Sequence, residues 1–312
     1  MSASPHPSLP APATLFLVFN RPQASARVFA QIRAARPARL YIAADGPRAT
    51  KPEEAARVEQ VRALARAVDW PCTVRTLFRE ENLGCREAVS SAITWFFEQE
   101  PEGVVLEDDC VPGPDFFPYC AQLLERYRHD ERIGLISGTA LCDLQAEGLL
   151  WDDEDYVVCR YFSVWGWASW ARVWKDYDVS IRSWTQRRAD MSALTPDPRL
   201  RAINDGLFDG VATGRINTWD YQLSYLLWST SRLALTPRTN LIENIGFDAD
   251  ATHTKAGGAL AARARLGTQS LRFPLRAPAQ LMPNLAYQRH LERFATRSRL
   301  QRLAERILHH VG

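Results

Sequence analysis

The feature that most restricts the fold is an alternation over residues 14–109 between short apolar runs closed by polar turns and segments with helical apolar spacing. Thr14–Phe19 is such a run, closed by Asn20-Arg21-Pro22, and Val28, Phe29 and Ile32 then mark one face of a helix over Ser25–Ala35. Arg39–Ala44 ends at Asp45-Gly46-Pro47, and a helix over Glu53–Val68 follows, with Ala56, Val61, Leu64 and Val68 on its apolar side. Cys72–Phe78 is a third strand, the loop from Arg79 to Gly84 leads to a helix over Cys85–Glu98, and Gly103–Leu106 is a fourth strand that runs directly into acid. Strands alternating with helices in this way build βαβ units around a mostly parallel sheet. The expected class is therefore α/β, a central mostly parallel sheet flanked by helices.

Composition sets the outer limits. With 312 residues, 46% hydrophobic and 24% charged, the chain can bury one large core or two smaller ones, which excludes a disordered chain and a collagen-like repeat. Six cysteines without a CxxC spacing suggest neither a zinc ribbon nor a disulfide scaffold, and reduced thiols in a cytoplasmic protein are the expectation. The net charge of +2 hides a split, because residues 255–312 hold eleven Lys and Arg against two Asp and Glu, leaving the first 254 residues at −7. The near-neutral total argues against a nucleic-acid partner. Residues 1–13 read as a flexible Pro/Ser/Ala leader, and no apolar run is long enough for a signal or a membrane span.

Beyond Asp109 the pattern loosens. Asp115–Tyr127 is helix-like, Ile133–Ser137 strand-like, and Leu141–Asp155 a loop-rich connector whose acidic run Asp152–Asp155 reads as a solvated surface. Four Trp fall in the ten residues from Trp165 to Trp174; most such aromatics are core, with one or two left for a sugar face. Two helices are expected around Gly210–Gly214 within Pro196–Trp228, a strand at Leu233–Thr236, and a final amphipathic helix over Asn284–Val311. Its basic surface is expected either to touch an anionic membrane from the cytoplasmic side or to pack against the acidic body.

In an open α/β sheet, ligands bind beyond the carboxyl ends of the strands. Three such ends are polar here: Asn20-Arg21, Asp45-Gly46 and Glu107-Asp108-Asp109. Three consecutive carboxylates after a buried strand repel one another and need solvent, hydrogen bonds or a cation. A hard divalent ion shared with a diphosphate suits them, while a solvated acidic turn is the plainer alternative.

Gly103 to Tyr119, GVVLEDDCVPGPDFFPY, resembles the EDD-and-DFF segment of GT-A glycosyltransferases of the N-acetylglucosaminyltransferase I type. Phe162–Trp167 with Trp174 is similar to that family's Gly-Trp segment, and Trp219-Asp220 to its Trp-Asp. The resemblance runs in order over about residues 14–230. It implies a GT-A fold over residues 14–254, with a nucleotide-sugar half (14–110), an acceptor half (111–254) and a basic extension (255–312). It further implies Mn²⁺ or Mg²⁺ on Asp109, Glu107 and Asp108 at the donor ribose or sugar, Asp45 at a uracil base, Arg21 near the phosphates, and Asp220 as the base that deprotonates an acceptor hydroxyl. The donor implied is a UDP-sugar, with N-acetylglucosamine or another hexose moved to a glycan, lipid-linked or peptide acceptor.

Other residues stay open. His253 is either a second metal or diphosphate ligand or a solvated side chain, and Lys255 beside it is a candidate for phosphate charge. Arg86 after the Asn82-Leu83-Gly84 turn is a further phosphate candidate, against a plain strand-to-helix turn. Asp220 has a simpler reading too, as an acid favoured by the dipole of a helix start. Two other functions compete with sugar transfer. A sugar-1-phosphate nucleotidyltransferase would want a glycine-rich phosphate loop after the first strand, where Asn20-Arg21-Pro22 stands; a non-catalytic carbohydrate-binding protein leaves the triplet and Asp220 without a task.

Overall fold

The computed structural model describes residues 9–151, 153–246 and 266–296. Eight strands form one sheet: β1 (Thr14–Val18), β2 (Arg39–Ala44), β3 (Thr73–Phe78), β4 (Glu102–Glu107), β6 (Ile133–Ser137), β7 (Tyr156–Cys159), β8 (Trp167–Trp170) and β9 (Leu233–Pro237). Their order is β3-β2-β1-β4-β8-β6-β9-β7. The four strands of the alternating region are parallel, with Leu17 beside Glu107 and Val18 beside Ala44, so the sheet is mixed and mostly parallel, as the α/β expectation requires. β5 (Cys110–Pro112) and β10 (Ile242–Asn244) pair as a separate antiparallel ribbon.

Helices α1 (Pro22–Ala35), α2 (Glu54–Arg62), α3 (Gly84–Phe97) and α4 (Phe116–Arg126) come from the expected segments. α1 begins three residues earlier than its apolar spacing suggests, because Pro22 occupies the first turn, where its missing N–H costs nothing. The expected long helix after β2 instead tightens into a 3₁₀ turn over Ala63–Ala67. The second half adds α5 (Ala171–Trp174), α6 (Trp184–Ala193), α7 (Pro198–Ala212), α8 (Asp220–Ser229) and α9 (Leu285–Thr296). Asp197 caps α7 by accepting from the amides of Arg199 and Leu200.

β8 was not legible as a strand: its Trp-rich sequence lies between β4 and β6, antiparallel to both, and is buried on both faces. Trp167, Trp170 and Trp174 are therefore core, and Trp165 alone of the four lines the cleft described below. The acidic run is a second correction. Asp152 lies outside the described residues, but Glu154 and Asp155 are buried and not solvated. Asp155 accepts from the Arg276 amide at 2.8 Å and faces Arg238, while Asp153 pairs with Arg238 and Arg276. Carboxylates of the acidic body thus anchor the basic extension.

Leu271 and Leu275 of that extension belong to the main core, and their amides bond to Asp115 and Gln122. α9 packs on α7 and β7 with Tyr287 buried, which is the packing alternative foreseen for the final helix; its expected continuation to Val311 lies outside the described residues. Of the leader, residues 1–8 are likewise outside, whereas Ala13 is buried and its carbonyl accepts from Val104. Among the described residues, no helix is long and apolar enough to cross a membrane.

Candidate functional site

The carboxyl ends of β1, β2 and β4 open into a cleft of about 490 Å³. One wall carries Arg21, Asp45 and the Glu107–Asp109 triplet; another carries Trp219 and Asp220 at the start of α8. Parallel pairing of β1 with β2 and β4 is what brings the three polar strand ends together, since each chain leaves the sheet at the same edge.

Within the triplet, the three carboxylates have different surroundings. Asp108 is buried and accepts from Arg21 Nε at 3.3 Å and from Nη2, and the same Nη2 donates to Asp109 Oδ2 at 3.0 Å. Burial pushes Asp108 up to about 6 against the pull of Arg21. Glu107 keeps a water-accessible face but is otherwise enclosed, and burial, then Asp109, Asp108 and Asp220, raise it well above the usual carboxylate range.

The β5–β10 ribbon roofs Asp109. The Ile245 amide donates to the Asp109 carbonyl at 2.9 Å, and Asn244 Oδ1 receives the Gly246 amide at 2.8 Å. A Cβ on Gly246 would lie 2.0 Å from Asp109 Oδ2, so only glycine allows this approach without displacing the carboxylate. Among the described residues, no three His, Cys, Asp or Glu side chains are grouped to hold a metal. The donor set still fits a divalent ion shared with a ligand. Asp108 and Asp109 share one guanidinium, Arg21, and Asp109 is partly exposed, while Mg²⁺ commonly takes only one or two protein carboxylates besides phosphate oxygens and water. His253 and Lys255 lie outside the described residues.

Asp45 lines the cleft, but both its oxygens serve backbone amides: Gly46 and Leu83 donate to Oδ1 at 3.0 Å, and Leu83 and Gly84 donate to Oδ2 at 3.1 and 3.0 Å. A residue from the β2 loop therefore caps α3. Asn82 completes the joint by donating to the Gly46 carbonyl at 2.8 Å. Its local task is to fix the first turn of α3 beside the cleft.

Arg86 pairs with Glu87 at 3.0 Å and is not among the residues lining the cleft. Cys85, Ala88 and Val89 hold the cleft-facing side of α3, and a residue one step past Cys85 is turned about 100° away. Arg48 and Arg79 line the cleft instead. Arg79 follows β3 directly and was findable by the strand-end rule; Arg48 has no sequence signal beyond standing three residues after Asp45. Burial, then Glu107, Asp220 and Asp45, push the Cys85 thiol up to about 12.

Asp220 is the first residue of α8, and Thr218 Oγ1 donates to its Oδ1. Trp219 is buried, stacks on Trp167 with centroids 5.9 Å apart, and its carbonyl accepts from Tyr177 OH at 2.9 Å. Trp174 in turn stacks on Tyr177 at 4.2 Å. This aromatic stack packs beneath the start of α8, and Asn217 joins it to α3 by accepting from the Arg86 amide at 3.3 Å.

No protein-family model matches the chain, and no curated protein matches it. Among solved structures it is similar to UDP-glucose pyrophosphorylase complexed with UDP-glucose, at 9% identity and a TM-score of 0.33, over 81% of this chain and 97% of that one.

Proposed function

We propose that the chain is an inverting glycosyltransferase that moves a sugar from a nucleotide diphosphate, with UDP the expected nucleotide, to an acceptor hydroxyl. The observation that carries this reading is the single cleft with a carboxylate triplet on one wall and Asp220 on another, with Arg21, Arg48 and Arg79 also in its lining. Sugar transfer with inversion needs a base at the incoming hydroxyl and a positive environment at the leaving diphosphate. Asp220 supplies the first: its carboxylate takes the hydroxyl proton as the acceptor oxygen attacks the anomeric carbon from the face opposite the diphosphate. The bond from that carbon to the diphosphate oxygen breaks, and its electron pair leaves with the diphosphate. Arg21, Arg48 and Arg79 offset the charge that develops there. Mn²⁺ or Mg²⁺ held by Asp109 would supply Lewis-acid stabilisation of the same leaving group.

A nucleotidyltransferase is disfavoured by the connection from β1 to α1. Phe19-Asn20-Arg21 contains no glycine, and Pro22 stands in the first turn of α1, so no glycine cradle of amides faces a triphosphate.

Calorimetry with UDP, with and without Mn²⁺, tests the donor side, and a screen of nucleotide-sugars by thermal shift follows. Metal-dependent UDP binding is expected, and its absence overturns the enzyme reading. Asp220→Asn is expected to keep UDP affinity and lower transfer by roughly 10²- to 10⁴-fold. Near-normal turnover in that variant would remove Asp220 from the role of base.

A further inference from the structure

A second cavity, of about 240 Å³, lies behind the acceptor side of the cleft, where Leu141, Phe162, Leu207, Phe208, Tyr221 and Trp228 supply most of its apolar wall. It shares two walls with the cleft. On the loop before β8, Phe162 and Ser163 face this cavity while the next two residues, Val164 and Trp165, face the cleft. On α8, Asp220 faces the cleft while Tyr221 and Ser224 face the cavity. Thr139, also in the cavity wall, ties the two by donating from Oγ1 to the Trp165 carbonyl at 2.7 Å. Ser224 lies one turn beyond Asp220, roughly 6 Å along the helix axis.

We propose that this cavity seats a neutral apolar group of the acceptor, an aryl ring or a short alkyl chain, whose hydroxyl Asp220 activates. The inference rests on the transfer reading above and names the acceptor class for it. Three properties of the cavity point to that occupant. Its size exceeds the roughly 150 Å³ that suffices for a benzene ring but falls short of a drug-sized site, so it takes a fragment and not a whole ligand. Its walls are apolar and aromatic, which favours a group without hydrogen-bonding demands. Among the described residues that line it, Glu292 is the one charged side chain and it accepts from Tyr161 OH at 3.0 Å, so the lining offers no cation to a phosphate-bearing lipid, whereas a neutral glycoside or phenol needs none. The nucleotide has no claim on it, since the triplet and the three arginines belong to the cleft and not to this cavity.

The test uses the full chain and a series of alkyl β-D-glucosides from methyl to pentyl, with phenyl β-D-glucoside, followed by calorimetry. Affinity is expected to rise roughly three- to fourfold per added methylene until the cavity is full. Leu207→Trp and Ala295→Trp fill the cavity from α7 and α9; each is expected to erase at least tenfold of the pentyl-over-methyl preference while UDP affinity stays within twofold. Equal affinity for methyl and pentyl glucosides overturns the proposal, as does a preference that survives both substitutions. Chain-length preference in a protein that binds no UDP, with or without Mn²⁺, overturns the acceptor role and with it the transfer reading, whereas UDP binding without the preference overturns the cavity assignment alone.

Discussion

Asp45→Asn separates a positioning role from a nucleotide contact, because the two carboxylate oxygens of Asp45 are nearly equivalent in shape to the amide that replaces them but not in chemistry. In the native chain Oδ1 receives the amides of Gly46 and Leu83, and Oδ2 those of Leu83 and Gly84. An asparagine keeps one accepting oxygen and turns an NH₂ donor toward the N–H groups on the other side. At least one amide loses its acceptor and the remaining bonds lose their ionic character, a cost of roughly 1.5–3 kcal/mol. Asp45→Ala removes these side-chain acceptors and uncaps α3, leaving the buried Gly46 amide only its 3.3 Å bond to the Glu81 carbonyl, so roughly 2–3 kcal/mol is expected from the weakened Gly46 bonding and the lost cap. Urea unfolding at pH 7 without nucleotide measures both, and hydrogen exchange at Leu83 and Gly84 locates the effect at the first turn of α3. A destabilisation below about 0.5 kcal/mol for both variants would refute the capping argument. Loss of UDP affinity with unchanged stability would instead place the carboxylate on the nucleotide.

Two further predictions concern the same cleft. Arg48 donates to Glu54, whose side chain is 4% exposed, and that hydrogen bond holds the Glu54 carboxyl below its ordinary 4.5. A depressed folded pKa gives stability that is present above pH 4.5 and lost as pH falls through the folded value, so Arg48→Gln should cost roughly 1–3 kcal/mol at pH 7 and progressively less below pH 4. Urea midpoints of both chains across pH 3–7 check this, and a constant gap across that range would contradict it. Gly246→Ala places a Cβ against Asp109 Oδ2, and the carboxylate must move. Calorimetry should show Mn²⁺-dependent UDP affinity falling at least tenfold with little change in the unfolding temperature, and unchanged affinity would show that Asp109 does not face the ligand.

Much of this was legible in the chain itself. The parallel half follows from four apolar runs and three helical spacings, because a helix between consecutive strands returns the chain to the same end of the sheet and the strands then pair in parallel. The acidic triplet announces itself for a similar reason, since charge immediately after a buried strand must lie at its end. Among the segments that escaped notice, β5, β7, β8 and β10 span three or four residues, too few for a period to show, and β8 looks like an aromatic cluster because it is buried on both faces; the ten-residue α6 buries only Trp184 and Met191, so it carries no apolar stripe.

By itself, then, the sequence determined the α/β class, the edge of the sheet where the cleft opens, and the identity of the acids that line it. Tertiary structure decided which side chains cooperate there. Arg21 closes on Asp108 and Asp109 from the turn between β1 and α1, Asp45 spends its oxygens on α3, Arg86 turns away where Arg48 and Arg79 turn in, and Gly246 comes from more than 130 residues downstream to sit on Asp109. These are contacts between segments remote in sequence, set by how helices and strands pack, and local periodicity carries no information about them.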